Sequence, residues 1–409
     1  MKDVVFKVLP NGLTVCLIKK KGYVMKEAMF AVRCGSTNVR FRTDGQDYRV
    51  PHGTAHFVEH KLFEKKHGNV FDDFAELGAS ANAFTGLDTT AYYFTCSENF
   101  EKCLTILGKM CANPYFTHKN VEKEKGIICS EITMYKDNPG WQSYFGMLSG
   151  LFGKHPVGSP IAGDEGDIGE ITEDTLRLFY DSYYRADNAI VIAAGDIDED
   201  SFFEICQRDF ALKDSSDTVT IMPECGDIDR VYVKSQMPLA TPVFTIGYKE
   251  ENFDISPVFR ALTSKVLMEI FAGSGSVLYE KLYANGLCTN PLGLDYLTGR
   301  GYGASIVSGM SPNPEGLLAQ LQSEIENFVN YGISEKYLER IVVKCKGGLI
   351  QSMENLDFLC SFAADNFAKS IKTLDFYEKY DSIKSDDLME RLVNHFRGDN
   401  LCLSTVVPA

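Results

Sequence analysis

Gly53-Thr54-Ala55-His56-Phe57-Val58-Glu59-His60-Lys61-Leu62-Phe63 decides how this chain is read. It sets two imidazoles four residues apart, with a carboxylate directly before the second. On an α-helix, positions i, i+3 and i+4 share a face, so His56, Glu59 and His60 converge on one point. Two neutral imidazoles on adjacent turns can both reach one Zn²⁺, which takes nitrogen ligands at about 2.0–2.1 Å. Glu59 then lies where it can take a proton from water. The plain alternative is an amphipathic helix with two histidines on its polar side, and the surroundings must decide.

The order H-x-x-E-H reverses the common zincin helix and marks the inverzincin class. Two histidines do not complete a catalytic zinc site, which needs a third protein ligand and an open position. That ligand must be an Asp, Glu, His or Cys on a separate rigid element. Thr117 is a plausible N-cap for a helix from about Val121 to Tyr135, broken by Asn138-Pro139-Gly140. Glu131 lies on it, 71 positions after His60, with Glu124 two turns earlier on the same face. The pair fits a ligand and the outer partner that orients a site. Either alone reads as well as a solvated carboxylate. Ile127, Ile128 and Ile132 are expected to supply apolar contacts. Gly126 lets another backbone come close or simply weakens the helix.

A chain of 409 residues suggests two to three domains. Its 44% hydrophobic content is that of a soluble globular protein. A net charge of −15 excludes nucleic-acid binding, which needs a basic footprint. It is compatible with basic peptides, although solubility explains acidity equally well. Twelve cysteines occur with no C-x-x-C spacing, which reads as reduced thiols of a cytoplasmic protein. Met1-Lys2-Asp3-Val4 carries no signal-type apolar region, and no stretch approaches the ~18 apolar residues of a membrane span.

Outward from the histidine helix, Pro10-Asn11-Gly12 joins two apolar runs as a β-hairpin, and Met29–Arg33 reads as a third strand. Thr37–Val50 reads as a polar loop. Ser80–Thr85 and Thr90–Cys96 form a second hairpin, and residues 188–194 another strand. Residues 212–229, with Ser215-Ser216 and Pro223, are the best linker. The second half restarts with strands, then helices, and closes on a strand at 401–407. Arg185-Ala186-Asp187-Asn188 and Arg397-Gly398-Asp399-Asn400 enter strands alike, 212 positions apart. The expectation is an α+β protein of two similar domains, each a mixed sheet with helices packed on one face. Residues 1–211 form the zinc-binding domain, 212–229 the linker, and 230–409 a second domain of similar fold closing the substrate chamber.

Three segments together, His56–His60, Ser80–Thr85 and Glu122–Glu131, resemble the pitrilysin/insulinase family of zinc peptidases. The likeness continues through His155-Pro156-Val157-Gly158, Ile161-Ala162-Gly163 and residues 183–196, so it spans the first half. Within that family the chain looks most like half-length bacterial members found as unlike pairs, one kind of which is associated with elongation factor P aminopentanol modification. The resemblance implies the processing-peptidase-like metallohydrolase fold. It also implies that His56, His60 and Glu131 bind zinc, that Glu59 is the general base and that Glu124 supports the site. Asn82, Ala83 and Phe84 would hold substrate, and a small-residue edge can accept an extended peptide as an added strand. The other five histidines are read as structural or exposed.

One departure stands out. Family members carry an Arg and a Tyr after a small-residue turn in the second half, which grip substrate. Tyr283 and Thr289 stand near those places here, and no Arg occurs between Phe271 and Gly299. The expected protein is a zinc metalloendopeptidase acting on peptides or small proteins. A second, related subunit supplies the missing clamp, with a homodimer as the alternative. A non-catalytic peptide-binding or modification-associated subunit of the same fold is the competing function.

Overall fold

The computed structural model describes residues 3–213, 217–371 and 376–409. Ser215-Ser216 of the expected linker lies outside the described residues.

Two sheets dominate the architecture. The first has the order Val4–Val8, Thr14–Lys19, Ala189–Gly195, Lys26–Val32, Thr90–Cys96, Ser80–Thr85. The second has the order Tyr232–Met237, Leu401–Pro408, Val243–Lys249, Gly303–Met310, Gly293–Thr298. Without the Val4–Val8 strand, the two orders are the same. In each, the closing strand runs parallel to the opening one and antiparallel to its other neighbour. Ile190 pairs with Thr14 in the first sheet, and Leu403 with Tyr232 in the second. The Arg-x-Asp-Asn echo enters this closing strand both times. The protein is α+β, with two similar domains.

The compact units depart from the contiguous division 1–211, 212–229 and 230–409. The first comprises Met1–Ile132, Pro160–Met222 and Ser352–Leu374. The second comprises Thr133–Ser159, Pro223–Gln351 and Asp375–Ala409. The reason is helix packing. In the first unit, helix Leu356–Ala368 lies on strands Lys26–Val32 and Ala189–Gly195. The central strand Ala189–Gly195 is buried at all seven residues, since its sheet is covered on its second face as well. Strand alternation turns Phe30 toward Tyr92, Tyr184 and Phe210, and the neighbouring Glu27 toward Cys360. In the second unit, helix Pro139–Phe152 lies on strands Val243–Lys249 and Leu401–Pro408. Its Ser143, Gly146 and Gly150 form the contact stripe. A Cβ at Gly150 would collide with Cys402, and Ser143 Oγ donates to Thr245 Oγ1 at 2.9 Å.

Thr37–Val50, read as a loop, contains a hairpin of Arg40–Thr43 and Gln46–Arg49. Asp44 and Gly45 at its tip have φ of 50° and 73°, the paired left-handed geometry that Asp-Gly favours.

Candidate metal centre

The first unit builds the site from two helices and an edge strand. Helix Thr54–Leu62 begins at Gly53, whose φ is 81° and whose absent Cβ would collide with the carbonyl of Ala162. Only glycine fits that turn at low cost. The helix buries Thr54, Phe57, Val58 and Lys61 on its inner side, which leaves His56, Glu59 and His60 on the adjoining face. Helix His118–Lys136 brings Glu124 and Glu131 to them. Ile128 and Ile132 fix it in the core, whereas Ile127 is 48% exposed. A Cβ at Gly126 meets nothing within 4 Å, so close backbone approach is not the reason for that glycine.

His56 Nε2 lies 3.6 Å from Glu131 Oε1, and His60 Nε2 lies 3.3 Å from Glu131 Oε2. Four donors at 2.0–2.2 Å around one tetrahedral cation stand roughly 3.3–3.6 Å apart. The observed spacing is therefore that of donors about a common centre. Within the described residues, these are the only three His, Cys, Asp or Glu whose donor atoms gather so closely, all within 4.8 Å. The N,N,O set and its spacing suit a zinc-sized ion with a fourth position open.

Behind the donors stands a fixed outer layer. His60 Nδ1 lies 3.1 Å from Glu124 Oε1, and Lys61 Nζ donates to Glu124 Oε2 at 3.2 Å. Lys61 also bonds Glu64 and is fully buried. His56 Nδ1, also buried, has no hydrogen-bond partner among the described residues. Burial works against a charged His60, yet Glu124 and Glu131 at its two nitrogens outweigh it and push its pKa up to about 10. A proton and a metal cation thus compete for the same imidazole. Burial likewise opposes a charged Glu124, but His60 and Lys61 hold its carboxyl below the usual value. Thr85 Oγ1 donates to Glu59 Oε2 at 2.6 Å, which leaves Glu59 Oε1 for other work.

Glu59 and His60 line a half-open cavity of about 680 Å³ together with Phe63, Phe71, Asn82 and Ala83. Strand Ser80–Thr85 is the sheet edge here, and Asn82 Oδ1 accepts from the Ala83 N–H at 2.9 Å. Phe84 does not line this cavity, although at i+2 it shares the strand face of Asn82; its ring lies 6.4 Å from Tyr93. The remaining histidines stand apart from it or at its rim. His155 accepts from the Val157 N–H, His395 Nε2 lies 2.8 Å from Ser305 Oγ, and exposed His67 pairs with Asp73 at 3.2 Å.

Sequence reasoning overlooked Lys61, Thr85 and the cavity role of Ile127. Lys61 carried a signal: it occupies the apolar stripe set by Thr54, Phe57 and Val58, where a lysine needs a buried partner. Thr85 carried none, because its bond to Glu59 joins elements 26 positions apart.

Residues 44–165 match the family described as Insulinase (Peptidase family M16), and residues 170–344 match its Peptidase M16 inactive domain. The Bacillus subtilis (strain 168) protein named uncharacterized zinc protease YmfH is 32% identical over 409 residues, covering 98% of this chain and 95% of that one. A Rickettsia felis (strain ATCC VR-1525 / URRWXCal2) protein named uncharacterized zinc protease is 25% identical, covering 93% and 92%. The crystal structure of an M16-like peptidase from Alicyclobacillus acidocaldarius superposes with a TM-score of 0.95 at 31% identity, covering 99% of this chain and 98% of that one. Pitrilysin shares the fold at a TM-score of 0.78 and 18% identity, this chain matching 45% of its length. With sequence, fold and donor geometry in agreement, the chain belongs to the insulinase family, peptidase family M16.

Proposed function

We propose that this chain is the zinc-binding, catalytic subunit of a two-subunit endopeptidase that hydrolyses peptide bonds in peptides or small proteins. The observation that carries the reading is the convergence of His56 Nε2, His60 Nε2 and the Glu131 carboxylate beside a cavity that Glu59 also lines. His56, His60 and Glu131 would hold a zinc ion, which when bound would supply Lewis acidity toward the scissile carbonyl and lower the pKa of water to ~7. Glu59 takes the proton of the attacking water at Oε1, while Thr85 keeps Oε2 fixed. The same carboxyl then returns the proton to the leaving amine. Glu124 accepts from His60 Nδ1–H, which leaves Nε2 as the donor atom. Asn82 and Ala83 present the edge to which an extended substrate adds. Tyr283, 60% exposed at the end of helix Val277–Ala284, stands near where a substrate-gripping Arg would lie, so a second subunit supplies that clamp. The twelve cysteines form no disulfide among the described residues, which suits a reducing compartment, the cytoplasm.

The test is metal content and turnover together. The purified chain should hold about one zinc, and Glu59→Gln should keep it while losing at least ~10²–10⁴ in turnover. Equal cleavage by variant and wild type sinks the reading. A non-catalytic peptide-binding subunit is the second reading. It is favoured by the match of residues 170–344 to the inactive domain and by the lack of Arg between Phe271 and Gly299. Zinc-free protein that still binds peptides would select it.

A further inference from the structure

The cavity beside Glu59 has a chemical division that the zinc chemistry does not use. Its floor is apolar: Phe63 and Phe71 stack with ring centroids 4.1 Å apart and planes within 5°. Phe71 is 39% exposed and Ile127 48% exposed, so the floor presents open apolar surface to the cavity. A helix buried on its other side has no packing reason to expose Ile127.

Around that floor the charges sort by whether they are already matched. Glu64 and Glu124 both bond the buried Lys61, Glu124 also faces His60, and Glu59 accepts from Thr85. On the basic side, Lys65 donates to the carbonyls of Met110 at 2.8 Å and Asn113 at 2.6 Å. Burial pushes its pKa down to about 8. Two ammonium groups remain. Lys66 and Lys123 line the cavity, are exposed, and have no hydrogen bond or ion pair among the described residues. Lys123 precedes Ile127 by one helical turn, so its charge stands over the same face as the apolar contact. The chain as a whole carries −15, yet the two charged side chains at this mouth without a hydrogen bond or ion pair among the described residues are both cationic. Within a Debye length of ~10 Å these local charges outweigh the distant net charge.

We infer that this cavity selects an extended peptide carrying a bulky apolar side chain next to an acidic residue, with Phe63, Phe71 and Ile127 receiving the first and Lys66 and Lys123 the second. This specificity rests on the peptidase reading above. An acidic side chain meets an unpaired ammonium here, and a basic one meets repulsion.

The test uses zinc-loaded protein, with its partner where one co-purifies, and matched fluorogenic peptides. Each holds one Phe flanked by Asp, Asn or Lys. The expected order of kcat/KM is Asp, then Asn, then Lys, with roughly three- to ten-fold between the extremes. The double reversal Lys66→Glu with Lys123→Glu inverts that order, and high salt flattens it. Replacing Phe by Gly lowers kcat/KM roughly ten-fold. Rates indifferent to the flanking charge, or an order unchanged by the reversal, overturn the proposal while leaving the peptidase reading intact. Should no peptide be cleaved, the peptidase reading fails separately. Anisotropy of the same peptides bound to Glu59→Gln then decides the specificity, equal affinity for Asp and Lys peptides overturning it.

Discussion

His60 Nδ1 stands 3.1 Å from Glu124 Oε1, so one imidazole is held by a carboxylate on each side, Glu124 behind and Glu131 in front. On the proposed reading, Glu124 bonds the nitrogen that a metal ion would not use. Glu124→Gln, which keeps an oxygen for Lys61, should therefore leave the fold intact and weaken zinc binding about 10–100-fold, measured by competition with a chromogenic chelator. Unchanged affinity would remove Glu124 from the site.

On the proposed reading, a zinc ion held by His56, His60 and Glu131 would tie helix Thr54–Leu62 to helix His118–Lys136. Removing it with a chelator should lower Tm, and added zinc at 100 times Kd should restore about 2.7 kcal/mol of stability. His56→Ala should abolish the zinc-dependent part of the melting shift in calorimetry.

Lys61 is fully buried against Glu64 and Glu124. Lys61→Met removes the cation and leaves two carboxylates without it, an imbalance costing about 3–5 kcal/mol. Urea unfolding at pH 7 should show the loss. A double variant that also neutralises Glu64 should recover part of it.

Glu27, 1% exposed, has its pKa raised by burial from 4.5 to about 8, with Asp357 adding to the effect. The folded chain then binds this proton more tightly than the unfolded chain does. Stability is fully present below the unfolded value of 4.5 and falls as pH rises toward about 8, by up to ~1.4 kcal/mol per pH unit. Glu27→Gln should flatten that slope in denaturant melts at pH 5, 6.5 and 8.

Gly53 opens the histidine helix at φ 81°. Gly53→Ala adds left-handed strain of about 1 kcal/mol and a clash with the Ala162 carbonyl. Lower Tm together with reduced zinc content is expected; a neutral outcome would mean the loop can yield.

Spacing made the converging faces legible: four positions set His56 and His60 on one side of their helix, and two turns set Glu124 and Glu131 on one side of theirs. The repeated Arg-x-Asp-Asn signal marked the closing strand of each sheet, and the sheet orders bear out the duplication. Ile127 misled because helical periodicity identifies a face without saying what lies opposite. Phe84 stands outside the cavity although it shares the face of Asn82, because a motif names neighbours in sequence while the reach of a cavity along a strand is set by what packs beside it, here Tyr93 against Phe84.

Local chemistry, then, was written in the chain itself: which residues can ligate, which elements they ride on, and the doubling of one topology. Tertiary structure alone decided the company those residues keep. Lys61 behind Glu124, Thr85 on Glu59 and helix Leu356–Ala368 over the first sheet join positions far apart in sequence. No periodicity encodes such pairings, because they arise from burying surfaces whose complementarity exists only once the chain has folded.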